Sequence, residues 1–131
     1  GQRGRPAGGR AAAMLSSTSD PYYVAKHEVQ TAIKKVQSMH DEWKRLLHAE
    51  NTFRSQRFQE LHAEIAGELR QLDFDLQDIT ATISMVEENR EKFKFDNSEI
   101  ASRKDFVKAS RATVRDIQES VTGRQALGKI E

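Results

Sequence analysis

Residues 55–88 read SQRFQELHAEIAGELRQLDFDLQDITATISMVEE. Phe58, Leu61, Ile65, Leu69, Leu72, Leu76, Ile79, Ile83 and Val86 recur there at steps of three and four. On a 3.6-residue helix that spacing lays them in one apolar stripe, whereas a half-buried strand needs alternation at every second residue. The stretch therefore predicts one long amphipathic helix over 55–88. Gly67 sits inside it at a cost of about 1 kcal/mol.

Similar stripes flank it on both sides. Asp20-Pro21 is a helix start, because Asp can accept from orphan N–H groups and Pro in the first turn loses nothing by lacking its own. From there Tyr22, Val29, Val36 and Trp43 recur every seven residues, with Ala25, Ala32, Met39 and Leu46 three further on. Ile33 and Leu47 widen the stripe beyond a two-stranded coil. The predicted helix spans about 21–49, roughly 43 Å long at 1.5 Å per residue. After a corner at Asn89–Phe95, Asp96 caps a third helix over 97–122. Glu99 completes an acidic capping box, and Phe95 with Ile100 forms a hydrophobic staple. Ile100, Val107, Val114 and Val121 repeat every seven, and Gly123 is the stop. Three such helices with short connections fold most simply as an all-α, antiparallel up-down-up three-helix bundle over 20–122. Its stripes satisfy one another, so a monomer is expected.

Residues 1–19 carry three Arg, no acid, four of the seven Gly and no apolar period, which predicts a disordered tail. Met14 reads as a native start, leaving 1–13 as an expression scar or leader. Residues 123–131 are expected to fray. Of 21 basic residues, the three in the tail leave 18 against 20 acids, so the body stands at −2. That mixed surface is no footprint for nucleic acid. The longest apolar run is the five residues Ala11–Leu15, too short for a membrane span. With no Cys, disulfides and thiolate chemistry are excluded.

Catalysis has no foothold. There is no phosphate loop and no nucleophile elbow, and nothing sets a base beside a nucleophile. His27, His40, His48 and His62 lack any i,i+4 pairing, so solvated surface histidines are expected and no metal or cofactor. On a helix Asp73 lies roughly 140° or more from both Asp75 and Asp78, so the three do not converge and read as a solvated face. Arg103 falls mid-stripe, level with Val121, and a charge there needs a partner. Either Glu28 on the first helix or Asp78 on the second is expected to be that partner.

Taken together, certain stretches are specific. They are Asp20-Pro21-Tyr22-Tyr23-Val24-Ala25-Lys26, Trp43 with Leu46-Leu47, Glu68-Leu69-Arg70, Thr82-Ile83-Ser84-Met85-Val86-Glu87, and the corner Asn89 with Lys92-Phe93. Through them, 20–122 resembles the N-terminal domain of the syntaxin 6 family of SNARE proteins. Arg90 stands where that family commonly has Pro. The resemblance reaches only the regulatory head, without the SNARE heptad segment or the C-terminal membrane anchor. It implies a head domain on the cytosolic face of trans-Golgi and endosomal membranes. Its protein partners would be cognate SNAREs and tethering complex subunits, such as those of the Golgi-associated retrograde protein complex. A spectrin-like scaffold bundle and a nucleic-acid-binding bundle using the Arg-rich arm are the other classes.

Apolar residues at stripe margins mark the expected partner site. These are Phe74 and Met85 on the second helix and Phe106 and Ala109 on the third. Together they predict a shallow groove between the two helices, which the resemblance also favours as a seat for a further helix. Phe93 and Phe95, alternating with Lys92 and Lys94 at the corner, form a second candidate spot.

Overall fold

A computed structural model of the chain describes residues 20–49, 56–93 and 96–123. Four helices are present among them: α1 (Tyr22–Leu47), α2 (Gln56–Glu88), the single turn α3 (Arg90–Phe93) and α4 (Asn97–Thr122). The expectations for the 1–19 tail, the Phe95 staple and the 124–131 tail lie outside the described residues, as does the Phe93 side chain.

Local chemistry sets the helix ends. Asp20 Oδ1 accepts from the Tyr22 N–H at 3.1 Å, and Pro21 already has helical angles (φ −81°, ψ −2°). At the start of α4, Asp96 Oδ1 accepts from the Glu99 N–H at 2.9 Å. The capping box expected there is not closed by Glu99, whose carboxylate turns to Arg103 and Tyr23. Gly123 ends α4 in an extended conformation (φ −67°, ψ 163°), not the left-handed one that favours glycine. The corner holds the helical turn α3, which the sequence reading treats as loop. Asn89 makes it: its amide donates to Met85 O at 2.8 Å, its carbonyl accepts from the Lys92 N–H, and Arg90 reaches on to Asn97.

Cross-helix contacts give the directions. Trp43 meets Phe58, and Lys35 meets Glu68, so α1 and α2 run opposite ways. Lys104 pairs with Glu87 and Arg111 with Asp73, so α2 and α4 are opposed as well. Tyr23 bonds Glu99 and His40 bonds Ser120, so α1 and α4 are parallel. The result is an antiparallel three-helix bundle.

The α2 stripe is buried along its whole length, against Tyr22, Val29, Val36, Trp43 and Leu47 of α1 and Ile100, Val107, Ile117 and Val121 of α4. Ala25, Ala32, Met39 and Leu46 are only half-buried. The α1–α4 seam is largely polar: besides Tyr23–Glu99 and His40–Ser120, it carries Lys26 Nζ over the Phe106 ring at 5.0 Å. Gly67 is a mild defect in α2. A Cβ added there would meet the flexible Arg70 guanidinium at 3.7 Å, ordinary contact. Gly67→Ala is therefore expected to stabilise the chain by about 1 kcal/mol, read as a higher urea midpoint.

Arg103 is 1% exposed, among the largest fully buried side chains. Its Nη1 and Nη2 donate to the two Asp20 oxygens at 3.1 and 2.5 Å, and its Nε donates to Glu99 at 2.8 Å. The Tyr22 ring lies 4.3 Å from the guanidinium carbon and the Tyr23 ring 5.2 Å away. This corrects the expectation that named Glu28 and Asp78. The acid that grips the fork lies before α1 begins, where helical-wheel reasoning does not look. Burial works to lower the guanidinium pKa, and the Asp20 and Glu99 hydrogen bonds outweigh it and raise it. Burial in turn pushes the Tyr22 hydroxyl up to about 12.

Candidate interaction surface

A groove of about 540 Å³ runs between α2 and α4. Leu69, Val114 and Val121 give it an apolar lining, with Arg70 and Asp73 among the polar residues along it. Phe74 lines it too and is 52% exposed. Large aromatic surface left in water beside an apolar channel is what a partner can cover. A smaller cleft of about 120 Å³ continues between the same helices, walled by Thr80, Ile83, Glu87, Lys104 and Val107.

The four groove candidates do not converge. Phe74 alone lines the groove. Met85 is half-buried against the core and lines neither α2–α4 cleft. Phe106 turns to α1, where Lys26 covers its ring. Ala109 is exposed outside both clefts. The reason is angular: Phe106 lies one residue before Val107, which rotates it about 100° from the stripe towards α1.

Two histidine expectations are corrected as well. His40 and His62 are half-buried, not fully solvated, and flank the buried Trp43, with ring centroids 5.7 and 6.1 Å from it. Trp43 stacks on Phe58 at 5.5 Å and donates its indole N–H to His62 Nδ1 at 3.2 Å. His40 Nε2 meets Ser120 Oγ at 2.8 Å. Burial lowers both histidine pKa values. The neighbour positions carried the signal, since His40 precedes Trp43 by three residues and His62 follows Phe58 by four, each one helical turn. Asp75 is likewise buried, not solvated, and accepts from Gln71 at 3.1 Å.

Among the described residues, no group of three or more acids or histidines is placed to hold a metal ion. Nor is any helix there long and apolar enough to cross a membrane.

Residues 20–118 match the family model described as Syntaxin 6/10/61, N-terminal. The chain is 36% identical over 115 residues to Syntaxin-6 of Homo sapiens, covering 86% of this chain and 45% of the relative. It is 29% identical over 115 residues to human Syntaxin-10, covering 88% and 46%. It is 23% identical over 111 residues to Syntaxin-61 of Arabidopsis thaliana, covering 82% and 42%. The chain thus spans less than half the length of these relatives.

Proposed function

Because the chain belongs to the syntaxin 6/10/61 family through its N-terminal domain, we propose that its bundle is a head that recruits protein partners to a target SNARE in vesicle trafficking. Syntaxins are not enzymes, and recognition is the work left to such a domain. The observation that carries the reading is Phe74, half in water at the rim of the α2–α4 groove. A partner helix with an apolar face fits a groove of that kind. Cognate SNAREs and tethering complex subunits are the partners in this reading. The membranes are those of the trans-Golgi and endosomes, with the head on the cytosolic side. Leu69 and Val114 line the same groove, and Phe93, Phe95, Met85, Phe106 and Ala109 are the other residues of this reading's partner contact.

Phe74→Glu tests it. The ring is largely exposed, so helicity and urea midpoint are expected to stay within about 0.5 kcal/mol of the parent. Affinity for a tethering subunit or cognate SNARE helix, titrated by calorimetry, is expected to fall at least about 30-fold, the loss of one anchoring aromatic. Unchanged affinity would move the site to α1 or to the Lys92–Phe95 corner.

A further inference from the structure

The hydrogen bond between Trp43 and His62 is chemically one-sided. An indole N–H only donates, and an imidazole nitrogen accepts only while it carries no proton. Trp43 is fully buried, so the bond assigns His62 its neutral form, with Nδ1 bare and the proton on Nε2. His40, on the opposite flank of the indole, differs. Its partner is a serine hydroxyl, which both donates and accepts, so His40 keeps that bond in either charge state.

The surroundings of the two rings decide what a proton does there. His62 faces Trp43 on α1, and it shares the groove wall with the uncharged Gln118, Val121 and Thr122 on α4 and, further along its own helix, the charged Arg70 and Asp73. His40 faces Asp41 and Lys44 on α1, and Asp116, Thr113 and Ser120 on α4. Among the described residues, burial alone shifts the His62 ring, and no carboxylate there raises its pKa.

We propose that His62 is a proton-operated latch. A proton taken up at Nδ1 removes the acceptor of the Trp43 N–H and loosens the end of the bundle where α1, α2 and α4 meet. The same event puts a cation on the wall of the α2–α4 groove. The latch stands whether or not that groove holds a partner.

Burial makes folded His62 harder to protonate than an unfolded histidine, whose pKa is about 6.5. The unfolded chain therefore binds more protons in the window below about pH 6.5. Stability is full above that window, falls as pH drops through it, and levels off once the folded ring is charged too.

Trp43 is the chain's single tryptophan, so its emission reports directly on the latch. The full chain is titrated from about pH 8 to about pH 5, following Trp43 fluorescence without denaturant and urea unfolding by circular dichroism. Emission is expected to change below about pH 6.5, chiefly through His62, with the unfolding constant rising several-fold over the same window. In His62→Gln the amide oxygen still accepts from the indole, and both changes are expected to shrink to what the likewise half-buried His40 contributes. His40→Gln should keep the emission titration. A full wild-type titration in His62→Gln would overturn the latch. Should that variant fail to fold, NMR titration of the His62 ring in the parent chain decides. A midpoint below about 6.5 supports the latch, and one at or above it overturns the proposal.

Discussion

Arg103→Ala is expected to destabilise the chain by about 3–5 kcal/mol, the cost of removing one partner from a buried charge pair. Against a typical total of about 5–15 kcal/mol, that loss leaves the variant marginal. Three effects act together. Truncation empties one of the largest buried volumes in the bundle. It takes the guanidinium from the Tyr22 ring, 4.3 Å away. It also strips Asp20 and Glu99 of the cation that satisfies them. Arg103→Met is the informative companion, because apolar replacement of a buried ion pair is often neutral. It fills much of the space, so its urea midpoint should stay far closer to the parent's. Asp20→Ala should fall between the two, since Glu99 still holds Nε while the Tyr22 N–H loses its cap. Equal and small losses in all three variants would show that the clamp contributes little. Acid adds a check. Hydrogen bonds from Arg103 and then Tyr23 hold the Glu99 carboxyl below its ordinary value of 4.5. Its contribution is present above pH 4.5 and is lost as pH falls through the lowered value.

Trp43→Ala is expected to cost a similar amount, about 3–5 kcal/mol, as large aromatic truncations in cores do. The indole is fully buried, stacks on Phe58 and lies between two histidine rings. Removing it opens a cavity in the core beside Phe58 of α2. Trp43→Phe should cost much less, because the stack survives and only the donor to His62 is lost. Circular dichroism in urea reads both variants. A mild Trp43→Ala would mean that Phe58 and Leu61 collapse into the gap.

Most of the architecture was legible because it rests on periodicity. Nine apolar positions of 55–88 at steps of three and four leave no alternative to a helix, and all nine are buried in α2. The misses share a physical origin. A wheel shows that Arg103 faces the core, yet its partner Asp20 stands 83 residues away on the approach to α1. No local pattern reports that distance. His40 and His62 look like surface residues by type. They are drawn in because each lies one turn from a large aromatic that must be covered. Phe74, Met85, Phe106 and Ala109 share an angular distance from their stripes, and that distance does not tell one side of a helix from the other. Margins on opposite sides of a helix face different neighbours, and only Phe74 fell on the groove.

The parallel run of α1 and α4 has a mechanical consequence. The described chain enters at Asp20, beside the start of α1, and leaves at Gly123, past the far end of α4. These points lie on the order of 40 Å apart, the length of 26 helical residues. Tension between them pulls α1 and α4 in opposite directions along their shared axis. The load falls in shear on the Asp20–Arg103 clamp, the Tyr23–Glu99 and His40–Ser120 bonds and the α2 core at once. Contacts sheared together must break together, whereas contacts peeled from one end break in turn. Held by these two ends, the bundle is loaded in shear, and its rupture force follows its unfolding rate.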